Sequence, residues 1–104
     1  MQVFFEGEIP ANEHIQRAFL VGAMESLLNA RQHGKATQLH VAVLQNRKRN
    51  TVLFRFTNNG LQPADHVRAG GGLGLARAAA EEAQGAAHWF EQPEFTLEME
   101  LPLP

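Results

Sequence analysis

Period-two alternation is the clearest signal in the chain. Leu39, Val41 and Val43 alternate with Gln38, His40 and Ala42, and Val52, Phe54 and Phe56 alternate with Leu53, Arg55 and Thr57. Successive side chains of an extended strand point to opposite faces, so each run predicts a strand with one apolar face. The polar stretch Asn46 to Asn50 between them predicts a hairpin. A third run sets Phe95, Leu97, Met99 and Leu101 against Thr96, Glu98 and Glu100, and predicts a half-exposed strand after a turn at Gln92 to Glu94. Residues 2–9 and 87–91 read as shorter strands.

Helical spacing fills the first long gap. Pro10 breaks the opening strand, Asn12 is a good N-cap, and the helix it starts runs to about His33, with Gly34 as its stop. A second helix is expected from about Leu73 to Ala83, ending at Gly85. Between strand and helix lies an aperiodic stretch from Asn58 to Gly72, rich in Gly and Pro. A loop that long in a small domain is uncommon and is usually functional or disordered. The order strand, helix, two strands, loop, helix, two strands predicts an α+β domain. It is a two-layer sandwich with both helices on one face of a mixed, mostly antiparallel sheet.

The 104 residues make a single domain, 1–104, with 44% apolar and 19% charged positions, as a globular protein requires. A formal net charge of -2 gives no general attraction for nucleic acid, so no nucleic-acid partner is expected and any phosphate site must be local. No cysteine is present, which removes disulfides and thiolate metal sites. The longest apolar run, Ala18 to Met24, falls far short of the ~20 residues that cross a bilayer, so no direct membrane contact is expected. Glu6 and Glu8 are unlike a signal peptide, and a cytoplasmic location is the default.

Chemistry concentrates in two places. At 100° per residue, Glu25, Asn29 and His33 fall within about 80° on one side of the first helix. Ala18, Gly22 and Ser26 project from the same side, while Leu20, Val21, Met24, Leu27 and Leu28 occupy most of the remaining circumference, so the helix is expected to be mostly buried with one small-residue polar face. A buried carboxylate and amide need partners, because an unpaired polar group taken from water costs on the order of 1 to 3 kcal/mol. Small neighbours leave room for a ligand to supply them, although a solvent-facing polar side gives the same pattern.

The second place is the run Gly70, Gly71, Gly72, Leu73, Gly74 at the start of the second helix, where free backbone N–H groups and the helix dipole favour an anion. A flexible turn has the same composition. A P-loop is excluded because the only Gly-Lys pair, Gly34 and Lys35, is followed by Ala36. A dinucleotide fingerprint fails because an irregular loop precedes the glycines and the third glycine position holds Arg77.

Together, the segments from Glu25 through Asn29 and His33 to Ala36, then Thr57-Asn58-Asn59-Gly60, then Gly70 to Leu75 resemble the nucleotide site of the GHKL, or Bergerat-fold, ATPases, most closely that of sensor histidine kinases. The resemblance covers nearly the whole chain and implies the following roles. Asn29 corresponds to the asparagine that holds Mg²⁺ against the ATP phosphates, which suits a cation that prefers oxygen ligands and keeps several waters. Glu25 corresponds to a carboxylate that polarises the attacking group, and His33 to a position near the phosphates. Gly70, Gly71, Gly72, Leu73 and Gly74 would bind ATP, and Leu61 to Ala69 corresponds to a short lid. Asn58 stands where the family usually has an aspartate that accepts from the adenine amino group, and Gly60 lets the chain pass close to the base. An amide carbonyl still accepts, but more weakly by about 1 kcal/mol, which implies modest ATP affinity. Gln32 is a second departure, at a place where many of these kinases carry a basic residue; Arg31, Lys35 or Arg68 are the candidate substitutes.

The resemblance implies an ATP-dependent histidine kinase of a two-component system, positioning Mg-ATP for transfer to a histidine on a separate dimerisation domain of the same kinase and, indirectly, to a response regulator. None of His14, His33, His40, His66 or His88 lies in a helix of the acceptor kind, so the chain is expected to be a fragment or a module acting in trans. Three other readings stay open: an anti-sigma-factor-type serine kinase or binding module of the same fold, a nucleotide-silent interaction domain, and simple ATP hydrolysis with Glu25 as base.

Overall fold

All three alternating runs become strands with their apolar side inward. The computed structural model describes residues 1–32, 35–60, 71–90 and 94–104. Its elements are β1 (Gln2–Glu6), α1 (Glu13–Gln32), β2 (Gln38–Asn46), β3 (Thr51–Asn58), α2 (Gly71–Glu82), β4 (Ala86–Phe90) and β5 (Thr96–Pro102). The sheet order is β1-β2-β3-β5-β4, parallel only where β1 meets β2. This is the mixed, mostly antiparallel two-layer architecture expected from the pattern.

Register builds the core in rows. Val43 lies opposite Phe54, which lies opposite Met99, which lies opposite Ala87. Val41, Phe56, Leu97 and Trp89 make the next row. Phe54, Phe56, Leu97 and Met99 are fully buried, each stabilising the fold by about 1.5–3 kcal/mol through area removed from water. Phe19 of α1 closes over them, its ring 5.0 Å from that of Phe54 and 5.6 Å from that of Phe56. The opposite face is polar: Arg55 Nε donates to Glu98 Oε2 at 2.7 Å and Thr51 Oγ1 to Glu100 Oε2 at 2.9 Å.

The helix ends follow from local chemistry. Asn12 Oδ1 accepts the N–H of Ile15 at 3.1 Å, the N-cap bond expected from the sequence. At the far end of α2 the sequence points to Gly85 as the stop, but Gln84 is the residue that turns left-handed, with φ 66. The N–H of Gly85 then reaches the carbonyl of Ala80 at 2.8 Å, a Schellman closure. Gly85 is required for a different reason: a Cβ there would collide with the Glu100 backbone oxygen and the Leu101 side chain.

Two expectations need correction. The first strand stops at Glu6 rather than residue 9, because Gly7 turns away with φ 98 against the Val43 backbone. The larger apolar residues of α1 do not make it mostly buried. Leu20, Met24 and Leu28 are 60%, 61% and 45% exposed, whereas Ala18, Gly22, Ser26, Asn29 and Ala30 are buried. The small side faces the sheet because the large side chains beneath it belong to the strands: a Cβ on Gly22 would press on Met99 and on the Phe56 ring. The expected stop at Gly34 and most of the turn before β5 lie outside the described residues.

Candidate functional site

The helices run antiparallel. Near the start of α1, His14, Arg17, Ala18 and Val21 line a crevice with Ala79, Glu82 and Ala83 at the end of α2. The C-terminal half of α1, with Glu25 and Asn29, therefore lies beside the start of α2, on the same face of the sheet. The glycine run begins there. Gly71, Gly72, Leu73 and Gly74 belong to α2 itself, which starts two residues earlier than Leu73 because glycine adopts helical angles as readily as turn angles. Their N–H groups are among the first of the helix, which have no partner within it. Among the described residues, no atom would meet a Cβ on Gly74, so packing does not require that glycine.

On α1, Asn29 is buried and its Nδ2 has no hydrogen-bond partner among the described residues; the Ser26 hydroxyl, three residues earlier on the same side, is in the same position. Each such atom costs the free protein about 1–3 kcal/mol unless something enters to pair with it. Glu25 is half-buried and burial raises its carboxyl above the usual range, since desolvation disfavours the charged form.

The end of β3 supplies the other side. Asn58 is buried, and its Oδ1 accepts the N–H of Gly60 at 2.9 Å. Asn59 ties this corner to the exit of α1. Its Oδ1 accepts the N–H groups of Thr37 at 3.0 Å and Gln38 at 2.9 Å, and its Nδ2 donates to Thr37 Oγ1 at 2.9 Å. The N–H of Ala36 reaches back to the carbonyl of Ala30 at 2.9 Å, so helix end, connection and β3 end form one bonded corner. Sequence reasoning assigned no role to Asn59 and treated Ser26 only as a small neighbour. The doublet Asn58-Asn59 after a strand was the available signal for the first; the second had none.

The structure thus gathers Glu25, Asn29, Asn58, Gly60 and Gly71 to Gly74 at one end of the fold. His33, Gly70, Arg68 and the lid segment Leu61 to Ala69 lie outside the described residues, as do the side chains of Gln32 and Leu73. The donor set suits Mg²⁺ held with a phosphate group, because an asparagine amide offers oxygen to a hard cation and N–H to a phosphate oxygen. Among the described residues, no cluster of three His, Asp or Glu side chains stands ready to hold a metal alone. Among the described residues, no helix is long and apolar enough to cross a membrane.

No family model matches the chain, and no curated protein sequence matches it. Solved structures do. The ATP-binding domain of PrrB from Mycobacterium tuberculosis superposes with a TM-score of 0.73 at 20% identity, over 100% of this chain and 81% of that one. The Erythrobacter litoralis EL346 blue-light activated histidine kinase gives 0.77 at 17% identity, over 98% of this chain and 35% of that one. The Acinetobacter baumannii histidine kinase AdeS gives 0.72 at 12% identity, over 97% and 52%. The chain therefore has the fold of a histidine kinase ATP-binding domain, and spans about half and a third of the two longer kinases.

Proposed function

We propose that the chain is the ATP-binding catalytic domain of a two-component sensor histidine kinase. The observation that carries this is Asn29: a buried amide with an unpartnered Nδ2, beside a helix that opens on glycines. In this reading Asn29 holds Mg²⁺ and a phosphate oxygen, the N–H groups of Gly70 to Gly74 cradle the phosphates, and Asn58 with Gly60 receives the base. Glu25 and His33 stand beside the phosphates, where the Glu25 carboxylate, whose pKa burial raises, polarises the attacking group. The bond between the β- and γ-phosphates breaks, ADP leaves, and the phosphoryl group goes to a histidine nitrogen on a separate dimerisation domain, from which a response regulator takes it. Mg²⁺ would neutralise the charge of the phosphates; this chain supplies position.

Calorimetric titration with Mg-ATP tests it. Saturable binding that disappears on chelation of Mg²⁺ is expected, and Asn29→Asp, which sets a negative oxygen where the amide donated, weakens it at least tenfold, about 1.4 kcal/mol. Unchanged affinity in Asn29→Asp removes that residue from the site. Absence of any binding removes the kinase reading and leaves an interaction domain.

A further inference from the structure

The two edges of the sheet are finished differently. At one edge β4 packs against α2, where Arg77 lies 4.7 Å over the Trp89 ring. At the other edge β1 pairs only with β2 while α1 rests on β3 and β5, and Val3, Phe4 and Phe5 are 54%, 44% and 51% exposed. An uncovered edge normally carries a Lys, a Pro or a bulge that blocks a further strand, and Gln2–Glu6 carries none of them. Its backbone also has a defined direction. The N–H of Gln2 reaches the carbonyl of Thr37 on the β2 side at 2.9 Å, and the register with β2 runs unbroken from Gln2 to Glu6. Neighbouring residues of a strand turn their N–H and C=O groups to opposite sides, so Gln2, Phe4 and Glu6 face β2. Val3 and Phe5 present theirs to the open edge, where among the described residues nothing receives them.

From this geometry we infer that the β1 edge pairs with the β1 edge of a second copy of this chain, antiparallel and centred on Phe4, joining the two five-stranded sheets into one. The strand complements itself in that register. Val3 lies opposite Phe5 of the second copy and exchanges both hydrogen bonds with it, and Phe5 does the same with Val3, so every outward group of the two strands is paired. Phe4 faces Phe4 in the closer, non-hydrogen-bonded position. Because each is stacked on its own His40 at 4.7 Å, the rings form one row across the open face. On the helical face Val3 and Phe5 meet beside Phe19, whose ring is 6.2 Å from that of Phe5. Glu6 falls opposite Gln2, so no carboxylate meets another; centring the pair one residue either way would set Phe4 against Gln2 or Glu6 instead. Five residues a side is well under the roughly 20–30 of a lasting interface, so the pair forms only at high concentration.

Sedimentation equilibrium of the unaltered chain, without nucleotide, is expected to show mostly monomer at about 1 μM and mostly dimer at about 1 mM. Phe4→Lys sets two cations face to face at the closest pair and leaves the backbone bonds to β2 in place; it should raise the dissociation constant by about tenfold or more. Disulfide formation reads the register, since the chain contains no cysteine of its own. Phe4→Cys puts two thiols on Cα atoms about 4.5 Å apart, within disulfide reach. It should cross-link about tenfold faster, or more, than Gln2→Cys, whose position faces Glu6. A monomer at about 1 mM overturns the inference. So does a dimer that survives Phe4→Lys, or equal cross-linking of the two cysteine variants, either of which puts the contact elsewhere. If Phe4→Lys fails to fold, which its amide NMR spectrum reports, the unaltered chain and the cysteine variants decide.

Discussion

Where α1 starts and α2 stops, the chain satisfies its own end groups: Asn12 caps one helix, and Gln84 with Gly85 closes the other onto Ala80. Where α1 stops and α2 starts, Asn29 Nδ2 and the Ser26 hydroxyl are, among the described residues, buried without partners, and Gly74 weakens its helix with no packing reason there. Glycine inside a helix costs about 1 kcal/mol relative to alanine. One end of the helical layer is built for stability. The other keeps polar atoms free at the expense of stability, as a site shaped for a ligand does.

Substitutions at the closed end should therefore destabilise, and those at the open end should stabilise the free protein. The largest effect is expected from Gly85→Ala, whose Cβ meets the Glu100 backbone oxygen. Because that backbone belongs to β5 it cannot swing aside, and urea unfolding should register a loss above about 2 kcal/mol. A loss under 0.5 kcal/mol, on that order, would mean the close approach relaxes freely. Asn12→Ala removes the cap and should cost ~1 kcal/mol by the same measurement.

Ser26→Ala tests the open end. Without nucleotide it should gain about 0.5–1 kcal/mol, because a methyl replaces an unpaired hydroxyl of similar size. A loss instead would show that the hydroxyl has a partner in solution and would erase the contrast between the two ends. The smallest effect concerns Glu25. Burial raises its carboxyl above the ordinary value of 4.5, so the folded chain holds that proton more tightly than the unfolded one. Below 4.5 both forms are protonated and there is no cost; as pH rises the unfolded chain ionises first, and folding carries a penalty that is complete above the folded pKa. Glu25→Gln should therefore gain a little melting temperature at pH 7 and nothing at pH 3, the gain being small because solvent still reaches the group.

The strands were legible because alternation is a local signal: Val41, Val43, Phe54, Phe56, Leu97 and Met99 are all inward, as their spacing implied. The Asn12 cap was legible for the same reason. The outward face of α1 was not. Leu20, Met24 and Leu28 have the composition of a core face, and only the bulk already supplied by Phe56 and Met99 assigns the inner position to Gly22. Gln84 likewise takes a conformation that glycine favours, because the identity of the left-handed residue depends on where the last helical bond closes. The candidate site divides in the same way. Glu25, Asn29 and the glycines could be placed by helical geometry and order along the chain, but the bonds of Asn59 cross 21 and 22 residues and depend on the tertiary arrangement. That Asn58 Oδ1 turns to the N–H of Gly60 could not be read from its name at all.

β1 has a further consequence. It lies at the sheet edge, pairs only with β2, and all five of its residues are exposed. It joins β2 across the whole length of α1, so its pairing closes a long loop and returns few buried contacts. The strand can therefore peel away in a sub-global opening that leaves the rows through Phe54 and Phe56 intact. Its amide protons should exchange with solvent through that local fluctuation, while those of β3 and β5 wait for the entire chain to unfold.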